Sequence, residues 1–219
     1  MAKKQKKPWP VKDVMHQIYD MKFWGGETQD FFSGAGSHDP KIINPYIKTL
    51  RDFLDTNNKS LIVCDLGCGD FNIGKHLVKY VKKYIAVDIV ENIIDRNKNL
   101  FKENNLEFYC LNIAEDKLPD GDCIIIRQVL QHLSNTEIQK ILKKIVTYKY
   151  IILTEHIPPG NFIPNIDIIS GQGIRLKKNS GVNLLKSPFN LKIKEEKKLG
   201  EYVLDNNKGK IATTLYVMF

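Results

Sequence analysis

In IVCDLGCGDFNIG, residues 62–74, an acid stands two positions before the first of two alternate glycines, and a third glycine comes late. Asp65 closes an apolar run and Gly67 and Gly69 follow it, as in a strand that ends on a carboxylate and turns through bare backbone. Glycine has no side chain, so such a loop lets a ligand approach the main chain, and after a strand it commonly cradles a nucleotide. A dinucleotide fingerprint is G-x-G-x-x-G, its third glycine packing helix against strand. Here Asp70 and Phe71 come next, and Gly74 lies five positions after Gly69, a poor match to NAD. Asp88 ends YIAVD nineteen positions after Gly69. It suits an acid accepting both hydroxyls of a ribose, each charge-assisted bond being worth about 1.5–3 kcal/mol. NAD-binding domains place an acid there too, so an NAD-linked oxidoreductase fits Asp88 but not Asp65 or the glycine spacing.

The acid before the glycines, D-x-G-x-G, resembles motif I of class I S-adenosylmethionine-dependent methyltransferases. The resemblance implies S-adenosyl-L-methionine as cofactor and an enzyme that transfers its methyl group. By it, Gly67 and Gly69 line the methionine portion, Asp65 acts on the amino group through water or backbone, and Asp88 with Ile89 holds the ribose. Asn112 and Ile113, after the third strand, meet adenine, with Asn where Asp is more usual; Phe71 replaces a third glycine found in many members. The stretch Arg127-Gln128-Val129-Leu130-Gln131-His132 falls where these enzymes face the methyl group and acceptor, and Gln128 is taken as a cofactor contact.

An N-terminal arm, FWGGETQDFFSGAGS, resembles that of small bacterial methyltransferases of surface-polysaccharide pathways, and SGVNLLKSPFNL resembles their C-terminal segment. The arm implies that Tyr19, Trp24, Gly34 and Ser37 close over the cofactor, and the group implies a sugar hydroxyl or a phosphorylated small molecule as acceptor. N-methylation of a phosphorylated amide or amine, or a catalytically silent cofactor-binding partner subunit, are the alternatives. DNA amino-methylases carry a [D/N/S]-P-P-[Y/F] motif after the fourth strand, whereas Pro158-Pro159 follows the fifth, between Ile157 and Gly160; no DNA partner is expected. Methyl transfer is an in-line displacement that needs alignment and, for a hydroxyl acceptor, a base. His132, His156 and the adjacent Glu155 each follow or close a strand and are the candidates. Arg175, Lys177, Lys178 and Lys186, set among few acids, suit an anionic acceptor group.

The elements that must hold these residues alternate. Apolar β-branched runs (SLIVCDL, KYIAVDI, LEFYCLNI, GDCIIIR, YKYIILTE) are separated by helical ones (FNIGKHLVKYV, VENIIDRNKNLFKEN, NTEIQKILKKIV). Such alternation means an α/β fold, a doubly wound Rossmann-like sheet of about seven strands, mostly parallel. NLKIKEEKKLG and GKIATTLYVMF, with turn residues and no helix between them, end it in an antiparallel hairpin. VKDVMHQIYDMKFW and PKIINPYIKTLRDFL precede the sheet as amphipathic helices, Pro45 limiting the regularity of the second. The expected organisation is a disordered basic tail at 1–12, a helix and lid arm at 13–39, and a catalytic domain at 40–219 with a substrate insertion around 156–190. At 219 residues one core is the prior. The net charge of +8 owes five lysines to the stretch before Asp13, which reads as a solvated tail. Cys64, Cys68, Cys110 and Cys123 lack C-x-x-C pairing and read as free thiols, with no metal expected. No apolar stretch suits a membrane span or signal core, so a cytoplasmic protein is expected.

Overall fold

The computed structural model describes residues 9–28 and 30–219; the lysines of the expected tail up to Lys7 lie outside the described residues. Seven strands form one sheet in the order β3-β2-β1-β4-β5-β7-β6. They are β1 (Ile62–Leu66), β2 (Lys83–Asp88), β3 (Leu106–Cys110), β4 (Cys123–Arg127), β5 (Tyr150–Ile157), β6 (Glu195–Val203) and β7 (Lys210–Val217). The first five are parallel, and β7 runs antiparallel to both β5 and β6. The chain reverses its direction of sheet growth after β3, so β1 and β4 are neighbours whose carboxyl ends open a crevice, the usual ligand site of an open α/β sheet.

Helices cover both faces because the central strands are apolar on both sides; β4 is buried along its whole length. Helix α2 (Pro40–Thr56) buries Ile43, Tyr46, Ile47, Leu50 and Leu54 at helical spacing. It starts on Asp39, whose carboxylate accepts from the Lys41 N–H, with Pro40 in its first turn. Pro45 does not interrupt it; the proline sits on the exposed side, where the carbonyl it leaves unpaired meets water. Helix α4 (Asn135–Ile145) begins with a reciprocal capping box between Ser134 and Glu137. Helix α3 (Glu91–Leu100) and α1 (Val11–Asp20) complete the layers. α1 begins at Val11, inside the stretch expected to be tail, because Pro10 presets the entry and Met15 and Ile18 bury against the body.

The helix expected in FNIGKHLVKYV is replaced by two 3₁₀ turns, Gly74–His76 and Val78–Tyr80. Phe71 is the cause. Its backbone takes φ +62°, which turns a fully buried ring among Tyr84, Phe101 and Phe108, with centroids at 5.7, 5.0 and 4.9 Å. Gly74 presses on that ring with no room for a Cβ. The terminal hairpin also shifts: β6 begins at Glu195 and includes Glu201, Tyr202 and Val203, which the turn had been expected to hold. The turn itself carries Asn206, Asn207 and Gly209 at positive φ. β6 forms the edge, with exposed Glu195, Glu196, Lys197 and Lys198 and a bulge before Gly200. No helix among the described residues is long and apolar enough to cross a membrane.

Phe71→Ala empties the aromatic cluster under the glycine loop and should cost about 3–5 kcal/mol in denaturant unfolding; a cost below 1 kcal/mol would mean that the ring does not set the local fold.

Candidate active site

The glycine loop is held at almost every polar atom. Gly67 and Cys68 donate their N–H groups to the Val87 carbonyl, at 2.8 and 2.9 Å. The Gly69 N–H donates to Asp88 Oδ2 at 2.9 Å, and its carbonyl accepts from the buried Asn97 amide at 2.8 Å. Gly67 and Gly69 take φ +86° and +53°. A Cβ at Gly67 would strike Val129 and one at Gly69 would strike Ser33, so close packing as well as conformation requires glycine at both. Asp88 Oδ1 accepts from the Val90 N–H. Each carboxylate oxygen thus keeps a further lone pair, and the side chain lines the cavity described next.

That cavity, about 500 Å³, lies over the carboxyl ends of the parallel strands, within the size range of small-molecule sites. Tyr19, Trp24, Gly34, Ser37, Asp65, Gly67, Gly69, Asp88, Ile89, Asn112, Ile113, Gln128, His132 and His156 all line it. Of the catalytic and cofactor-binding candidates, Glu155 alone stays off its wall. That carboxyl is buried behind the turn at Leu130–His132 and accepts from the Leu130 and Gln131 N–H groups at 2.9 and 3.1 Å. Burial pushes it up to about 8 against the pull of those two donors. A base must reach the acceptor, and Glu155 lies off the cavity wall, turned to the backbone of that turn.

The arm closes one side. Ser33 donates its N–H to Asp70 Oδ2 and accepts from the Asp70 N–H through its hydroxyl, both at 2.9 Å. His38 Nε2 adds a 2.6 Å contact to the same carboxylate, and the Tyr19 and Ser33 hydroxyls lie 3.1 Å apart. Arg127, buried at the end of β4, donates to the Gly36 carbonyl at 2.6 Å and to the Ser37 hydroxyl at 3.1 Å, and it stands 4.8 Å over the Tyr46 ring. Trp24 packs on Tyr19 and, 5.3 Å between centroids, on His132. Asp70 directly follows D-x-G-x-G and Ser33 opens S-G-x-G-S, yet nothing in a linear pattern pairs two residues so far apart; Ser33 and Asp70 are site residues that sequence reasoning did not single out, and Arg127 and Gln131 were named only as members of the stretch 127–132.

The histidines differ. A carbonyl only accepts, so the 3.1 Å contact of His132 Nδ1 with the Gly171 oxygen places the proton on Nδ1. Nε2 is then bare. The Gln131 side chain agrees, because its Oε1 accepts from the His156 N–H and its amide nitrogen therefore faces His132 Nε2, at 3.3 Å. Burial lowers His132 to about 4, leaving it neutral at physiological pH. His156 donates Nε2–H to the Lys208 carbonyl at 2.7 Å, and burial lowers its pKa as well.

The connection from β5 to β6 runs over 158–194 with a single 3₁₀ turn, Arg175–Lys178. The basic side chains expected to face an anion separate here. Lys177 lines the cavity. Lys178 donates to the Asp167 carbonyl, and Lys186 is exposed and does not line it. Arg175, at 1% exposure, points into the body and donates to the Leu130 and Leu133 carbonyls, which hold its charge-assisted Nη groups away from solvent. Cys64 and Cys123 are buried and all four cysteines are free.

A family model described as a methyltransferase domain matches residues 63–148, which hold the glycine loop, Asp88, Asn112 and His132. A malonyl-[acyl-carrier protein] O-methyltransferase of Acetivibrio thermocellus is 36% identical over 81 residues, 36% of this chain. The match spans 29% of that relative's length. An N-methyltransferase of Bradyrhizobium japonicum WM9 solved with S-adenosyl-L-homocysteine superposes with a TM-score of 0.65 at 12% identity, over 94% of this chain and 99% of that one. Magnesium protoporphyrin IX methyltransferase of Synechocystis PCC 6803, with bound S-adenosylmethionine, gives 0.59 at 15% identity, over 97% and 100%. The described residues share the α/β fold of these two structures.

Burial pushes Asp65 up to about 7, against the Tyr84 hydroxyl that donates to it at 2.9 Å. A folded value above the ordinary 3.8 means that its contribution to stability is complete below about pH 4 and is lost as pH rises through 7. Asp65→Asn keeps an acceptor for Tyr84 and removes the titration. Between pH 4 and 7 the wild type should therefore lose stability relative to the variant, by up to about 4 kcal/mol; melting curves that stay parallel over that range would show that Asp65 is ionised throughout.

Proposed function

We propose that this chain transfers a methyl group from S-adenosyl-L-methionine to a small hydroxyl-bearing acceptor, and that residues 13–39 are its lid. The observation that carries this reading is the convergence, on one cavity, of a glycine cradle that no Cβ can enter, a buried acid with lone pairs to spare, and a neutral histidine with a bare nitrogen. The residues present fit the cofactor. Gly67 and Gly69 offer open backbone to its amino-acid part, and Asp65 stands beneath for the amino group. Asp88 and Ile89 take the ribose, Asn112 and Ile113 the adenine, and Tyr19, Trp24, Gly34, Ser37 and Gln128 close around them. When bound, the sulfonium supplies an electrophilic methyl group.

His132 then serves as the base. As the acceptor oxygen gains the methyl group, its proton passes to Nε2, displacing the long contact from Gln131. Trp24 holds the ring from the arm side and Gly171 fixes its tautomer, so the nitrogen needs no reorientation when acceptor arrives. His156, whose Nε2–H is engaged, contributes a wall and an acceptor nitrogen instead. Lys177 is the cation within reach of a phosphate or carboxylate. The arm's likeness to enzymes of surface-polysaccharide pathways supports a sugar-type or phosphorylated acceptor and a cytoplasmic site of action.

Calorimetry should show S-adenosylhomocysteine binding, with NADH giving no heat, and Asp88→Ala should weaken that binding at least tenfold, equivalent to about 1.4 kcal/mol; an unchanged Kd would remove Asp88 from the ribose. Hydrogen exchange over residues 24–38 should slow when S-adenosylhomocysteine is added, because the arm gains a surface to close upon. Identical exchange in both states would make the arm plain scaffold.

A further inference from the structure

The four residues from Leu130 to Leu133 present His132 and Gln131 to the cavity, and their backbone is gripped from two sides. From β5, Glu155 accepts the N–H groups of Leu130 and Gln131. From the long connection, Arg175 donates Nη1 to the Leu130 carbonyl at 2.9 Å and Nη2 to the Leu133 carbonyl at 2.7 Å and the Asn135 side chain at 2.8 Å. The same connection reaches the histidine itself. Gly171 donates its N–H to the His132 carbonyl at 3.0 Å and accepts from His132 Nδ1, while the Ser134 N–H donates to the Ser170 hydroxyl at 2.7 Å. We infer that Arg175 and Glu155 are positioning residues, which lock this turn from opposite sides so that the folding of the 158–194 connection sets the tautomer His132 shows to the cavity.

The reasoning is one of geometry and cost. Neither side chain touches the cavity. Each is nearly excluded from water, at 1% and 2% exposure, and burying a group of this kind is expensive unless its partners are well placed. A lysine could supply the charge of Arg175, but its ammonium cannot span two carbonyls and an amide as a planar fork does. If the turn drifts by an ångström, the Gly171 carbonyl no longer meets Nδ1, and the ring is free to carry its proton on either nitrogen. Only the tautomer with a bare Nε2 can take a proton from an acceptor. The connection that would recognise the acceptor therefore also arms the base, and this rests on the function proposed above.

The test is heteronuclear NMR of the full chain labelled with ¹⁵N-histidine, at neutral pH, on wild type, Arg175→Lys, Glu155→Gln and Val182→Ala. Val182 is a buried residue of the same connection that does not bond to the turn. Wild type should show His132 as the single Nδ1–H tautomer, and any other form overturns the inference. Arg175→Lys, with Glu155→Gln as the second variant should the first not fold, should split that signal into a mixture, while Val182→Ala keeps it single. Retention of the single tautomer in both clamp variants, or an equal mixture in Val182→Ala, would reduce the pair to ordinary core packing. Binding of S-adenosylhomocysteine to wild type is measured alongside; its absence would sink the proposed function and leave the tautomer result standing.

Discussion

Asp65, Asp88, Arg127 and Glu155 stand at or near the carboxyl ends of β1, β2, β4 and β5, and none is more than 9% exposed. An ionisable group taken out of water must be given partners or change its charge. Both happen here. Asp65 and Glu155 are pushed towards neutrality, whereas Arg127 places its two Nη groups on the arm and on Gln128. The partners come from the loops, so the loops acquire their shape by satisfying the strand ends. Asp88 draws in the Gly69 N–H, Glu155 draws in the turn at Leu130, and Arg127 draws in Gly36 and Ser37. The cavity is the space left once these demands are met.

This division explains which parts were legible in the sequence. Strands β1, β2, β4 and β5 announce themselves because a strand buried on both faces leaves a continuous apolar run, and the acids near the ends of β1 and β2 break those runs at the places where a ligand would sit. Candidates such as Asp65 and Asp88 at the ends of β1 and β2 accordingly line the cavity. Phe71 shows where the method stops. Its neighbours have helical periodicity, but one residue at positive φ converts the segment into 3₁₀ turns, and the ring that causes it is explained only by Tyr84, Phe101 and Phe108 from elsewhere in the chain. Arg175 is the second example. A basic residue in a long connection reads as solvated or ligand-facing, because the carbonyls that accept from it belong to a turn some forty residues away. Glu155 looked like a base for the same reason: a carboxylate beside a histidine at a strand end is chemically apt, and only the folded chain turns it off the cavity wall towards the Leu130 and Gln131 N–H groups.

The arm and the long connection meet over the cavity, where Gln172 donates to the Phe23 carbonyl and Trp24 lies against His132. Two segments far apart in sequence thus share one roof, and the sheet beneath supplies the floor. The charged, bulged edge at β6 keeps the opposite flank of the sheet out of this arrangement and discourages a further strand from adding there.

The grip of Arg127 on Gly36 and Ser37 carries a kinetic consequence. Lifting the arm strips a buried cation of two of its acceptors at once, and the vacancy is tolerable only if solvent enters as the arm departs. For the lid proposed above, opening would be a hydration event centred on one guanidinium, with entry to and exit from the chamber tied to how readily water reaches the end of β4. A neutral, shorter side chain there would loosen the roof and quicken traffic, at the expense of a chamber that holds its shape between turnovers.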